Sequence, residues 1–250
     1  MENAVVDVVV TGAEPEAWVI AVVALVAGMI RGFTGFGGPA FMLAILTLFF
    51  PPVSVVAKVL VVDFLTSVYL FKTCWRDIRW KPLLWMTIPT LLVLPFGHWL
   101  LVELDPSVMK RAMAGAIALS CVAMLIGWRY KTPMNIVALV AVGVVAGVVF
   151  GGAYIALFAV VPVLLGPYDK NEGRALIVAW SFLAVIGFAL LSGGTGTTTW
   201  SDVNVALPGI ATYWLGAWIG SAGFRQSSEK LFRRAAIATL LVLSLGNLLL

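Results

Sequence analysis

Residues 27–52 read AGMIRGFTGFGGPAFMLAILTLFFPP, and this stretch decides the fold. It is apolar except for Arg31 and a few hydroxyls, yet a glycine cluster at Gly35, Gly37 and Gly38 interrupts it before Pro39. Glycine admits backbone conformations that end a helix. Proline suits a first helical position, where its missing N–H has no partner in any case. The pattern therefore predicts a helix that stops near Arg31 and a second that starts near Pro39. A break at that depth is tolerated in lipid only where protein or a cavity satisfies its backbone.

The composition requires a bilayer. The 250 residues are 62% hydrophobic and 11% charged, with 16 Lys+Arg against 12 Asp+Glu, whereas soluble domains carry roughly a quarter charged residues. Mean hydropathy is +1.05. Continuous rather than alternating apolar runs exclude a transmembrane β-barrel. One histidine and two cysteines are too few for zinc sites or c-type haem attachment, so neither metal nor cofactor is expected. A net charge of +4, carried at membrane edges, gives no reason to expect nucleic acid. Residues 1–17 hold Glu2, Asp7, Glu14 and Glu16 with no lysine or arginine. They lack the basic start of a signal peptide and read as an extracytoplasmic segment.

Ten hydrophobic segments follow: 18–31, 38–50, 53–71, 82–102 and 107–128, then 135–150, 153–165, 172–191, 203–223 and 231–250. Crossing takes about 20 apolar residues, so the first two members of each set read as short, each pair broken by glycines. Each pair is either a hairpin dipping into the membrane or two short spans, and returns the chain to its starting side. One side then collects Lys72, Arg76, Arg79, Lys81, Arg129, Lys131, Lys170, Arg174, Arg225, Lys230, Arg233 and Arg234, and the other Lys58, Lys110 and Arg111. That twelve-to-three division is sharper than the nine to six obtained if each pair crossed once, and cations gather on the cytoplasmic side. Both termini are expected outside.

The two sets resemble each other. Val26-Ala27-Gly28 matches Val145-Ala146-Gly147, Pro52 matches Pro167, Lys58 matches Arg174, and Pro89, Gly97 and Trp99 match Pro208, Gly216 and Trp218. The fold expected is an all-α polytopic membrane protein of two repeats, 18–131 and 132–250, each a broken helix hairpin followed by three transmembrane helices. Five segments per half place the second repeat upside down. Inverted repeats with broken helices are the architecture of secondary transporters.

The breaks suggest the substrate. Half-helix N-termini at Gly35, Gly37 and Gly38 and at Gly151 and Gly152 would converge from opposite leaflets and hold an anion. Arg31, an intramembrane cation beside the first break, would contact it directly or pair with Asp63. Asp63 is either that ion-pair partner or a proton carrier. Thr34, Ser67, Trp180 and Ser181 could donate to an oxyanion, while Lys58 and Arg174 could attract it along a path. His98, the single histidine, reads as an interfacial residue with no serine positioned for intramembrane hydrolysis.

These residues carry a resemblance. The AGMIRGFTGFGGPAFMLAILTLFFPP run, its echo AGVVFGGAYIALFAVVPVLLGP at 146–167, and the paired WKP…P…FGHW and WSD…P…LGAW segments resemble the TauE/SafE family, the sulfite exporter or 4-toluene sulfonate uptake permease family. The resemblance implies a bacterial inner-membrane carrier of sulfite, sulfonates or related small anions, with a homodimer open as the assembled form. An anion channel or a carrier of small carboxylates could use the same site.

Overall fold

The computed structural model describes residues 15–126 and 130–226. The N-terminal segment to residue 14, Arg129, Lys230, Arg233, Arg234 and the tenth hydrophobic segment lie outside the described residues. Among those described, the helices are α1 (Pro15–Thr34), α2 (Gly38–Leu46), α3 (Pro52–Cys74), α4 (Trp80–Glu103), α5 (Pro106–Ile126), α6 (Ile136–Ala153), α7 (Leu157–Leu165), α8 (Lys170–Thr195) and α9 (Trp200–Gln226). A 3₁₀ turn, Trp75–Asp77, joins α3 to α4.

Local chemistry explains the helix starts. Pro52 opens α3, where its missing N–H costs nothing. The Asn135 side chain accepts from Ala138 N at 2.8 Å to cap α6. Asp169 accepts from Asn171 N and Glu172 N at 2.9 and 2.8 Å to cap α8. Pro89, Pro95 and Pro208 lie inside helices, which intramembrane helices tolerate when neighbours satisfy the freed carbonyls.

Among the described residues, five helices are long and apolar enough to cross a membrane, over 17–34, 52–77, 80–103, 136–153 and 171–195. This corrects one expectation. The first member of each broken pair is not short: α1 has 20 residues and α6 has 18, and only α2 and α7, at 9 each, are half-length. The helices run through Gly32 and through Gly151-Gly152 because those glycines are packing surfaces rather than breaks.

Packing is reciprocal. α1 lies most closely on α9, and α4 on α6, while α3 and α8 meet at the centre, α3 also touching α9 and α8 also touching α4. Glycines let the backbones meet. A Cβ on Gly28 or Gly32 would fall 2.1 or 2.0 Å from the carbonyl oxygens of Tyr213 or Ala217, and one on Gly216 or Gly220 would strike Leu25 or Met29. In the other pair Gly143, Gly147 and Gly151 face the carbonyls of Met86, Thr90 and Leu94, and Gly97 faces that of Val148. Contact numbers rise together in both pairs, so the partners run parallel. Small residues at helix crossings are how intramembrane helices approach without a hydrophobic drive between them.

The connections sort to two ends. Arg79, before α4, forms a salt bridge with Glu172 in the first turn of α8. Tyr130, before α6, donates from its N–H to Leu165 O at 3.2 Å. The turns following α3, α5 and α7 therefore share one end. At the other end Lys58, near the start of α3, pairs with Asp202 in the first turn of α9. Burial is inverted relative to a soluble protein: Leu92, Val137, Leu190 and Trp200 are exposed on the outside, while Arg31 and Asp63 are each 1% exposed.

Candidate functional site

The first break is built by its own residues. α1 ends as Thr34 Oγ1 donates to Ile30 O at 2.7 Å and accepts from Phe36 N at 3.1 Å. Gly35 and Gly37 then take φ of 79° and 86°, left-handed values that a side chain resists. Gly38 comes back beside α1, where a Cβ would lie 2.6 Å from Ala27 O and 2.7 Å from Arg31 Cβ. α2 opens there with Pro39 in its first turn and no side-chain cap.

The second break falls later than the glycines suggest. α6 continues to Ala153, Tyr154 takes φ 54°, and α7 starts at Leu157. Gly151 and Gly152 lie within α6, against Leu94 and Gly97 of α4. A tyrosine in left-handed conformation costs about 1–2 kcal/mol, so the surrounding structure must hold it there. Its buried hydroxyl has no hydrogen-bond partner.

Between the breaks lies an ion pair. Arg31 Nε is 3.3 Å from Asp63 Oδ1. Arg31 Nη2 donates to Ser67 Oγ at 3.0 Å and reaches Asp63 Oδ2 at 3.5 Å, and Nη1 donates to Gly35 O at 3.0 Å. Ser67 Oγ donates to Asp63 Oδ2 at 3.0 Å and Tyr213 Oη to Asp63 Oδ1 at 2.8 Å. A lone buried guanidinium or carboxylate would be costly, and each neutralises the other. The pair borders a small cavity of about 10 Å³, lined also by Gly37, Pro39 and Ala40 of the first break, Phe150, Tyr154, Ala156 and Leu157 of the second, and Ser181 and Val185 of α8. That is room for about one water. Ser181 Oγ, like Tyr154 Oη, is buried without a partner.

The other expected residues divide. Trp180 turns its indole N–H to Thr90 Oγ1 at 3.1 Å and does not line the cavity. Thr34 is spent on the break itself. Lys58 Nζ donates to Ser54 Oγ at 2.5 Å and lies 3.5 Å from Asp202. Arg174 Nη2 donates to Gly32 O at 3.2 Å, with Nη1 3.2 Å from Cys74 Sγ. It lines a polar cavity of about 320 Å³ with Tyr69, Thr73, Cys74, Asp77, Asn171 and Ser221. His98 Nε2 lies 3.2 Å from both Thr195 and Thr197 hydroxyls, away from the cavity. Sequence reasoning missed Tyr154 and Tyr213. Only Tyr213 carried a signal, as a tyrosine in the middle of the apolar run 203–223 rather than at its edge, where the aromatic belt sits; Tyr154, at the start of its segment, carried none.

Described residues that are all helical, with five candidate spans, lipid-type residues outside and a neutralised ion pair between two helix breaks, define a multi-pass membrane protein. The sequence model described as sulfite exporter TauE/SafE matches residues 20–246. The chain belongs to that family, which is one of membrane transporters and not of enzymes. Neither the curated proteins nor the solved structures contain a match.

Proposed function

We propose that this protein is a secondary transporter of sulfite or small sulfonates, working by alternating access between two inverted repeats. The anion is held where the two breaks meet, against Arg31. The observation that carries this reading is that residues of both breaks and the buried cation line one cavity. Backbone N–H groups at the start of α2 and a guanidinium suit a small oxyanion.

The repeats are supported by reciprocal packing: the first helix of each half lies on the fourth of the other, α1 on α9 and α6 on α4. The return of Gly38 beside Ala27 supports a hairpin. So does the Arg79–Glu172 bridge, because a single crossing by each broken pair would place those residues on opposite faces of the membrane. Our reading puts the end carrying Arg76, Arg79, Lys81, Lys170 and Arg174 in the cytoplasm of a bacterial inner membrane, with both termini outside. A cavity of about 10 Å³ is too small for an oxyanion, which favours a carrier that opens to load over a standing pore.

The test is flux into proteoliposomes. Wild-type protein is expected to move labelled sulfite or a sulfonate, and Arg31→Ala to insert but not transport. Undiminished flux through Arg31→Ala removes this site from the mechanism. Single-channel currents in a planar bilayer would replace the carrier with a channel.

A further inference from the structure

Asp63 stands where the substrate must go. Its carboxylate lies along the Arg31 guanidinium, at 3.3 Å from Nε and 3.5 Å from Nη2. The remaining Arg31 contacts go to Gly35 O and Ser67 Oγ. An oxyanion arriving beside ionised Asp63 would place two negative charges on one guanidinium in a low-dielectric interior, where like charges within a few ångströms cannot comfortably coexist. Asp63 cannot swing out to water either, since it is 1% exposed and held on both oxygens by Tyr213 and Ser67. The remaining way to free Arg31 is to neutralise the carboxylate. Both holding groups are hydroxyls, which reverse from donor to acceptor by rotation. A protonated Asp63 can therefore donate to Ser67 Oγ or Tyr213 Oη with no backbone movement.

We propose that Asp63 is a built-in substitute for the substrate. The anion takes Arg31 as Asp63 takes a proton from the open side, and both leave together on the other side, one proton with each anion. For a singly charged sulfonate or hydrogensulfite the loaded site then carries the same net charge as the empty one. This step rests on the transporter reading above.

The groups facing Asp63 do not compete for the titration. Arg31 of α1 is a guanidinium, which stays cationic, and Arg174 of α8 donates to Gly32 O next to it. Tyr213 of α9 donates to Asp63 Oδ1 and Tyr154 of the second break lines the same cavity; both are phenols, a group ordinarily protonated near neutral pH. Lys58, on the same helix as Asp63, lies against Ser54 and Asp202.

Two measurements separate this proposal from the reading beneath it. Equal-concentration counterflow of labelled sulfite, or of methanesulfonate, whose charge does not vary with pH, needs only the site. Accumulation driven by an acidic exterior needs the proton. Wild type is expected to do both, accumulating methanesulfonate about tenfold per pH unit. Asp63→Asn is expected to lose accumulation while retaining a reduced, measurable counterflow, and Asp63→Glu to recover accumulation. No counterflow in wild type overturns the transport reading. Counterflow without proton-driven accumulation in wild type, or accumulation surviving in Asp63→Asn, overturns the coupling alone. If Asp63→Asn does not fold, wild-type calorimetry decides: methanesulfonate titrated in two buffers of different ionisation enthalpy should take up about one proton per anion, and uptake of none overturns the proposal.

Discussion

Arg31 and Asp63 are tolerable in this interior because each cancels the other, and neither could be kept there alone. Removing one partner of a buried pair strands the other, at a cost of about 3–5 kcal/mol, whereas replacing both by apolar groups of similar volume is often close to neutral. Arg31→Met is therefore expected to lower the denaturation midpoint of detergent-purified protein sharply, and Arg31→Met with Asp63→Leu to recover most of it. A double variant no more stable than the single one would show that the pair contributes nothing to the fold. Tyr213→Phe deletes the 2.8 Å hydrogen bond to Asp63 and should cost about 1.5–3 kcal/mol, the range for hydrogen bonds to charged groups. The same denaturation series reads that loss, and an unchanged midpoint would remove Tyr213 from the cluster. At this scale the sequence was informative about charge and silent about phenols. An arginine and an aspartate in apolar runs announce themselves, but a tyrosine inside α9 becomes part of the site only through the fold that lays α9 against α3.

Glycine is the ambiguous sign at the scale of the helix. A cluster can mark a chain break or a crossing where another backbone comes close, and composition does not distinguish them. Gly35 and Gly37 were legible as a break because Pro39 follows and restarts the helix. Gly151 and Gly152 read the same way, yet α6 runs through them because Leu94 and Gly97 of α4 occupy the space a Cβ would need. The break moves on to Tyr154, which nothing in its residue type advertised. The distinction can be measured. Gly28→Ala puts a methyl 2.1 Å from the Tyr213 carbonyl oxygen. It should force α1 and α9 apart at a cost of about 1–3 kcal/mol, seen as a lower midpoint. Gly115→Ala on α5 meets nothing within 4 Å among the described residues and should leave the midpoint level or raise it by the usual helix preference of about 0.5–1 kcal/mol. Equal effects at the two positions would refute the packing assignment.

At the scale of the whole molecule, the approximate helix positions among the described residues were legible in hydropathy, because bilayer thickness sets the length of each apolar run. Which helices would touch was not, since α1 finds its main partner almost two hundred residues away. The two close helix pairs carry a further consequence. On the proposed repeat alignment, Gly28 corresponds to Gly147 and Tyr213 to Leu94, so a perfectly symmetric molecule would seat Gly147 on Leu94. Instead Gly147 meets Thr90, and Leu94 meets Gly151. The helix ends hold to the same alignment, with left-handed Gly35 matching left-handed Tyr154. The α4–α6 pair thus sits one helical turn, about 6 Å, out of step with α1–α9. Both registers are built on glycine against carbonyl. Spin labels at the exposed sites Val26 and Trp218, and at their equivalents Val145 and Trp99, should report two unequal distances that trade values when substrate cycles the carrier. Distances that stay fixed would deny the exchange. If the two halves alternate as proposed, the offset between the two helix pairs is the difference between the inward- and outward-facing shapes.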